Sequence, residues 1–251
     1  GLHLGESCSG WNDMTNEAAK RGWKTAPPVD KWANPDDETG YQPHHDCRIP
    51  AVREELELEM ASMPGPDNPN LYYFANSCRS YCAWKKLSGG TRTFDNPEGD
   101  GTRDDEEAGN EMTKWLARCI EIIFNAGKLA LFENQAPDGL YPKAWNHSQL
   151  QLAIKKTGAV VIESTMCGHG LAPPDQPEKR HRKRFWLLVP KALVPWLQLV
   201  HRMCVRRDHV SLGGNIPGTS LRRTQFAARY TLPYIRLILH LIEQAYQGTA
   251  P

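Results

Sequence analysis

The sequence lacks long hydrophobic runs and an excess of charge of either sign. No apolar stretch approaches the roughly 20 residues that a transmembrane helix requires, and the first residues show no secretory pattern. The formal net charge is only +1, which by itself does not demand nucleic acid or an anionic membrane as partner. These absences argue against a membrane-spanning chain. The 251 residues suffice to bury one sizeable core.

A disulfide pattern is also missing. The seven cysteines are odd in number and irregularly spaced, unlike those of disulfide-stabilised domains. We therefore expect an intracellular protein of a reducing compartment, with nucleus, cytoplasm and organelles left open. Charge is unevenly distributed, because residues 98–111 are acidic whereas residues 179–184 and 202–207 are basic.

The chain has no complete Gly-x-Gly-x-x-Gly fingerprint, although the pattern around such a motif is present. A short apolar strand at residues 2–4 is followed by small residues at 5–10 and a helix-compatible run at 15–21. Small residues at such a turn let the backbone approach a ligand. Asp30 follows about 20 residues later, where nucleotide-type folds place an acid on a ribose. A surface aspartate after a Pro-Pro loop is the equally good alternative.

Residues 128–134 form the run around which the chain is organised. Four apolar residues predict a buried strand of a parallel sheet, which ends in Glu133 and Asn134 before a polar loop. Ligands of open α/β sheets bind at the carboxyl ends of strands. Glu133 is therefore a candidate for chemistry, and the alternative is a glutamate that stabilises the turn.

A second strand is predicted at residues 71–75, which are aromatic and apolar. It leads to Asn76, Ser77 and Cys78. A thiol at the end of a central strand, next to Arg79, is placed to have a lowered pKa. The alternative is an inert, half-buried cysteine.

The remaining pattern alternates strands and helices. Helices are predicted at 51–63, 110–125, 148–157 (capped by Ser148), 193–203 and 221–246 (interrupted at Pro233), and further strands at 160–164, at 185–189 and before an exposed Asp46. Residues 88–109 are polar and Gly-rich, which favours a mobile loop. This alternation predicts an α/β fold, with a doubly wound, mostly parallel, Rossmann-like sheet and helices on both faces.

Several short motifs occur in an order that resembles the DNA cytosine-C5 methyltransferases, in the divergent form found as domains of mobile elements and of algal or protist proteins. Residues 5–10, Gly-Glu-Ser-Cys-Ser-Gly, resemble the first motif of that family. Residues 76–78 resemble its Pro-Pro-Cys loop, and residues 133–135 its Glu-Asn motif. Residues 181–185 are similar to its Gln-x-Arg-x-Arg before a strand, and residues 214–215 to its late Gly-Asn segment.

The resemblance implies a class I methyltransferase fold over residues 1–251, with S-adenosylmethionine as cofactor and nucleic acid as partner. Residues 1–75 would form the cofactor-side half, 76–190 the catalytic-side half and 191–251 a C-terminal helical segment. The implied catalytic residues are Cys78 as nucleophile on cytosine C6, Glu133 as hydrogen-bond partner of the ring, and Arg182 or Arg184 as the cation that neutralises the thiolate. The implied cofactor contacts are Glu6, Cys8, Gly10, Asn76, Asp30 on the ribose and Asp46 near the adenine amine.

The sequence departs from the family pattern at three points. Asn76 and Ser77 replace the two prolines, and Asn12 replaces the second glycine of the first motif. Only about 30 residues separate Arg184 from Gly214, too few for a target-recognition domain. A larger assembly or a parent polyprotein would then supply target recognition. An inactive methyltransferase-like fold that serves as a structural or interaction subunit is the alternative function.

A zinc-stabilised nucleic-acid-binding module is a second alternative. Cys167, His169, Cys204 and His209 are candidate ligands, and the Cys204-x4-His209 spacing is usable for zinc. The neighbouring basic runs would then contact phosphate. The opposing interpretation is that these four are ordinary core and surface residues.

Overall fold

A computed structural model describes residues 1–8, 10–34, 39–65, 67–76, 79–206 and 208–249. The strands are β1 (His3–Ser7), β2 (Lys24–Thr25), β3 (Trp32–Asn34), β4 (Thr39–Tyr41), β5 (Leu71–Phe74), β6 (Leu129–Gln135), β7 (Val160–Thr165), β8 (Arg180–His181), β9 (Arg184–Val189) and β10 (His209–Val210). The α-helices are α1 (Asp13–Lys20), α2 (Pro50–Ala61), α3 (Trp84–Leu87), α4 (Asp104–Asn125), α5 (Ser148–Thr157), α6 (Val194–Leu197), α7 (Arg223–Phe226) and α8 (Leu232–Gln247). Within these ranges, no helix combines the length and apolar character needed to cross a membrane.

Six strands form one sheet in the order β2-β1-β5-β6-β9-β7. Neighbours from β2 to β6 are parallel, whereas β9 is antiparallel to both β6 and β7. The carboxyl ends of β1, β5, β6 and β7 therefore lie at one edge of the sheet, together with the amino end of β9. The predicted fold class, a mostly parallel Rossmann-like α/β sheet, is confirmed. Two small sheets accompany it, with β3 antiparallel to β4 and β8 parallel to β10.

Alternation along the strands divides the core into two layers, one on each face of the sheet. In β5, Leu71 and Tyr73 pack with the buried residues of α1 and α8. Tyr72 and Phe74 pack with those of α2, α4 and α5 on the opposite face. Full burial of one such side chain contributes about 1.5–3 kcal/mol. The sheet is therefore fixed from both sides, and its carboxyl edge is a rigid frame for a site.

Residues 88–109 are folded, so the prediction of a mobile loop here is wrong. Arg92 is 3% exposed and donates hydrogen bonds to the Pro97 carbonyl (2.6 Å) and to Asn110 Oδ1 (2.8 Å). Its guanidinium also lies 4.0 Å from the ring centroid of Tyr81. Helix α4 begins at Asp104, six residues earlier than predicted, with four acidic residues in its first turn that complement the helix dipole. One buried cation thus organises a segment whose composition is typical of disorder.

Local details of three helices also differ from prediction. The helical segment predicted at 221–246 is interrupted, but before Pro233, since α7 ends at Phe226 and α8 begins at Leu232. Pro233 lies in the first turn of α8, and Thr231 caps this helix. Helix α5 is capped by His147, whose ring nitrogen accepts a backbone N–H, and not by Ser148. The helix predicted at 193–203 is reduced to the single turn of α6, flanked by 3-10 turns. A proline at the first turn loses no helical hydrogen bond, which explains the first difference.

Candidate functional site

Three of the predicted site segments meet at the carboxyl edge of the sheet. Ser7 of β1 pairs in register with Phe74 of β5, and Phe74 pairs with Phe132 of β6. Beyond these pairs, the Asn134 side chain donates a hydrogen bond to the carbonyl of Asn76 (2.9 Å). The turn after β1, the loop after β5 and the end of β6 are therefore direct neighbours.

The predicted nucleophile, Cys78, lies outside the described residues, as does Ser77. The described chain leads as far as Asn76, two residues before the thiol. Asn76 Nδ2 donates a hydrogen bond to the carbonyl of Met112 (3.4 Å). Its Oδ1 is buried and has no hydrogen-bond partner among the described residues. The assignment of Cys78 therefore stays a prediction, and the described strand before it, β5, adjoins β6, which carries Glu133.

Glu133 is buried, with 5% of its surface exposed. Its Oε2 accepts a hydrogen bond of 2.7 Å from the hydroxyl of Tyr230, whose ring packs edge-on against Tyr73 at 5.7 Å. Burial and the Glu133 carboxylate raise the pKa of Tyr230 well above its ordinary value. The phenol thus remains a proton donor that orients the carboxylate.

The segment between α7 and α8 covers this edge. Tyr230 reaches Glu133, and the guanidinium of the preceding Arg229 lies 3.4 Å from the ring centroid of Trp11, in the turn after β1. Sequence reasoning missed Tyr230, because nothing local marks a tyrosine that lies 97 residues from its carboxylate partner.

The predicted cations lie at the amino end of β9, which reaches the same edge. Arg184 pairs with Glu163 of β7 (Nε to Oε1, 2.7 Å), and Arg182 is exposed. Lys183, between them, has its Nζ 5.6 Å from the ring centroid of Tyr230. Successive residues of a strand face opposite sides, so Lys183 belongs to the face that Glu133 also occupies. This alternation was a signal from which Lys183 could have been predicted.

The first turn differs from prediction in where it begins. Strand β1 continues through Ser7, so Glu6 belongs to the strand. Glu6 is 2% exposed, and its Oε2 accepts hydrogen bonds from the amide (2.8 Å) and hydroxyl (2.5 Å) of Thr15. Its Oε1 is buried without a partner in the part of the chain that the structure describes. Burial raises the pKa of Glu6 to about 7.

Asp30 holds this turn in place. Its Oδ2 accepts a hydrogen bond from the amide of Gly10 (3.0 Å), and its Oδ1 accepts one from Trp32 (3.0 Å). Cys8 and Asn12 both have φ of 57°, a left-handed conformation that costs non-glycine residues about 1 kcal/mol or more. A ribose bound by Asp30 would use the lone pairs that these backbone amides leave free.

Asp46 does not end a strand and is not exposed, so that prediction is wrong. It follows a 3-10 turn, Pro43–His45, and is 2% exposed. Arg48 Nη2 (2.6 Å) and the Tyr41 hydroxyl (2.9 Å) both donate hydrogen bonds to its Oδ2. Burial alone would raise the pKa of Asp46, but the hydrogen bonds from Arg48 outweigh it and lower the pKa to about 2. Its contact with adenine stays a prediction, and one of these donors would have to give way.

The predicted metal ligands come together at the end of β7, except for one. The ligand atoms of Cys167, Cys204 and His209 all lie within 4.8 Å of one another. His169 instead lies in the core, with Nε2 3.1 Å from Ser164 Oγ, and burial lowers its pKa to about 4. His169 is therefore a buried structural residue and not a fourth ligand.

Two cavities lie beside β1. One, of about 330 Å3, is lined by His3, Lys24 and Asp67 near the amino ends of the strands, and none of the predicted site residues borders it. The other, of about 20 Å3, is bordered by Glu6 and holds about one water molecule. Neither has the position and size that a nucleotide-like cofactor needs.

No family model matches the chain, and no curated protein matches it. Among solved structures, the crystal structure of S. pombe Dnmt2 methyltransferase is similar to 75% of this chain, with 12% sequence identity and a TM-score of 0.36. This chain covers 49% of that structure's length, or about half. A likeness this weak supports no conclusion about function. The fold assignment rests on the strand order and directions described above.

Proposed function

We propose that this chain is an S-adenosylmethionine-dependent methyltransferase that acts on a nucleic-acid base, with cytosine C5 as the target atom. The observation that supports the proposal best is the adjacency of three strand ends. The turn after β1, Asn76 after β5 and Glu133 on β6 lie side by side at the carboxyl edge, where open α/β sheets bind ligands.

Two buried acceptors fit the cofactor. Glu6 Oε1 and Asn76 Oδ1 have no partner among the described residues, and a buried polar atom without a partner costs about 1–3 kcal/mol. The ammonium and adenine amine groups of S-adenosylmethionine are donors that would satisfy them, and Asp30 has lone pairs for ribose hydroxyls. When bound, the cofactor supplies an electrophilic methyl group on its sulfonium sulfur.

The chemistry explains why a thiol and an acid would be needed together. Cytosine C5 is a weak nucleophile, and addition of the Cys78 thiolate to C6 moves the C5–C6 π electrons to C5. For this step Glu133 would carry a proton and pass it to N3 as the thiolate adds, so that the ring does not keep the negative charge. The methyl group of the bound cofactor would then pass to C5, and the cofactor's sulfur would leave as a neutral thioether. A water molecule would take up the C5 proton, and the electrons of that C–H bond would restore the C5–C6 double bond as the thiolate leaves.

Lys183 joins Arg182 and Arg184 as a cation for this step. It is on the Glu133 face of β9 and contacts Tyr230, whereas Arg184 is engaged by Glu163. A cation near the thiolate favours its ionised form. Because Glu133 is 5% exposed and Tyr230 covers it, a base reaches Glu133 only when the segment between α7 and α8 is displaced.

Covalent trapping on 5-fluorocytosine tests the proposal. Oligonucleotides of single-stranded DNA, duplex DNA and RNA that carry this base are incubated with the protein and S-adenosylmethionine, and adducts are counted by denaturing electrophoresis. We expect an adduct with the wild type and none with Cys78→Ala. The matched control is Cys82→Ala, because Cys82 lies four residues further on, with its thiol turned to the Arg79 carbonyl (3.2 Å).

Cofactor binding is measured separately by calorimetry and thermal unfolding. A ligand at 100 times its Kd stabilises the folded state by about 2.7 kcal/mol, so saturating S-adenosylmethionine raises the Tm of the wild type and of both cysteine variants. An absent Tm shift together with absent adducts on all three substrates would contradict the proposal and support the alternative of an inactive interaction subunit.

A further inference from the structure

We propose that Cys167, Cys204 and His209 bind a zinc ion, which fixes the basic segment at residues 201–206 to the end of β7. This site is independent of the proposed methyl transfer, since it lies on other residues and has a structural role. Two thiols and one imidazole are the soft donor set that zinc prefers in proteins.

The geometry fits a tetrahedral ion. Zinc holds thiolate sulfur at about 2.3 Å and imidazole nitrogen at about 2.0–2.1 Å, so that neighbouring ligand atoms are roughly 3.5 Å apart. The distance from Cys204 Sγ to His209 Nε2 is 3.4 Å. Cys167 Sγ lies within 4.8 Å of both. A small rotation of one cysteine side chain about its Cα–Cβ bond would place the three ligand atoms at three corners of a tetrahedron around the ion.

The backbone around Cys167 is shaped to receive the segment that carries Cys204. A Cβ atom at Gly168 would lie 2.7 Å from the carbonyl oxygen of Arg202, so only glycine permits this close approach. The same carbonyl accepts hydrogen bonds from the amide (3.0 Å) and hydroxyl (2.7 Å) of Thr165. These three contacts hold Arg202 next to Gly168. Arg202 lies two residues before Cys204, and Gly168 directly follows Cys167.

His209 is positioned by the small sheet of β8 and β10. It pairs in register with Arg180, and the adjacent His181 donates its amide to the carbonyl of Leu171 (3.1 Å). Leu171 lies just beyond the 3-10 turn Met166–His169 that contains Cys167. The two cysteines and the histidine are therefore held by separate backbone contacts, and their convergence does not depend on one flexible loop.

The fourth coordination position faces solvent. Cys167 is buried, whereas Cys204 and His209 are partly exposed. No fourth cysteine, histidine or carboxylate joins the cluster within the described ranges. Water would therefore complete the coordination of the ion. Zinc at this place would stabilise residues 204–206, where Arg206 donates a hydrogen bond to the Glu178 carbonyl (2.7 Å).

Elemental analysis tests the site. Protein is dialysed against zinc and then against metal-free buffer, and zinc per chain is measured. We expect roughly one zinc in the wild type and a loss of most of it in Cys204→Ser and His209→Ala. The matched controls are Cys82→Ser and His240→Ala, which change a partly exposed cysteine and an exposed histidine elsewhere and should keep the metal.

Two further readouts do not depend on the variants. Cobalt in place of zinc should give the thiolate-to-cobalt absorption of a two-sulfur site, and zinc should protect Cys167 and Cys204 of the wild type from alkylation, as mapped by mass spectrometry. Equal labelling with and without zinc, or a wild type that retains no zinc, would overturn the proposal. A Cys204→Ser protein that folds and retains as much zinc as the wild type would overturn it as well.

Discussion

Replacement of Glu6 by glutamine should remove a loss of stability that grows with pH. Glu6 is 2% exposed, and burial raises its pKa from 4.5 to about 7. In the unfolded chain the carboxyl ionises near its ordinary pKa. Between the two values the folded state keeps a proton that the unfolded state has lost, so a rise in pH favours unfolding. The cost is absent below the unfolded pKa and complete above the folded one.

The size of the effect follows from the two pKa values. Each pKa unit is worth about 1.4 kcal/mol, so the change from 4.5 to about 7 corresponds to about 3.5 kcal/mol in full, and to about 2.5 kcal/mol between about pH 5 and pH 8. The glutamine oxygen can still accept the hydrogen bonds from Thr15. Its NH2 group would occupy the place of Oε1, which has no described partner. The destabilisation caused by this NH2 group does not vary with pH. The assay therefore measures how the free energy of unfolding changes with pH.

Urea unfolding of the wild type and of Glu6→Gln over this pH range provides the assay. The free energy of unfolding of the variant, minus that of the wild type, should rise with pH by about 2.5 kcal/mol. Glu17→Gln is the control, because Arg236 lowers the pKa of Glu17 and both of its states are ionised across this range. The free energy of unfolding of Glu17→Gln, minus that of the wild type, should not change with pH. Parallel profiles for wild type and Glu6→Gln would refute the raised pKa and with it the burial of the Glu6 carboxyl on β1.

Three further substitutions test contacts that the fold depends on. Arg92→Ala leaves buried carbonyls unpaired and should lower the free energy of unfolding by about 3 kcal/mol, while trypsin cleaves faster after Arg103, the site that remains in residues 88–103. Tyr230→Phe leaves the buried Oε2 of Glu133 without its hydrogen-bond donor and should lower the free energy of unfolding by about 1–3 kcal/mol, measured by urea unfolding. Gly168→Ala places a Cβ 2.7 Å from the Arg202 carbonyl and should cost about 1–3 kcal/mol, with weaker zinc retention.

Each of these has an outcome that would contradict it. Unchanged trypsin cleavage in Arg92→Ala would mean that the segment is held by other contacts. A Tyr230→Phe protein as stable as the wild type would show that the hydroxyl makes no stabilising hydrogen bond to Glu133. Gly127→Ala is the control for Gly168→Ala, since no atom lies within 4 Å of a Cβ there. Its φ of 70° adds backbone strain alone, so zinc retention should fall only at Gly168.

The local sequence pattern was sufficient to predict the strands and helices whose formation depends on burial alone. The runs at 71–75 and 128–134 are predicted to be buried strands because each contains four or five consecutive aliphatic or aromatic residues, which are stable in a strand only between two packed layers. The helix predicted at 148–157 coincides with α5, Ser148–Thr157, because Gly158 ends this helix in a left-handed conformation. The alternation of these elements was enough to predict an α/β sheet.

The partners of the polar residues were decided only by the tertiary structure. Asp46 is buried because Arg48 and Tyr41 neutralise it, and no composition rule distinguishes this from an exposed carboxylate. Glu133 meets Tyr230 across 97 residues of sequence. The periodicity of apolar residues predicts whether a side chain is buried. Which residue it contacts depends on how elements that are distant in sequence pack together. Burial pattern is therefore encoded locally, and the chemistry of the site is not.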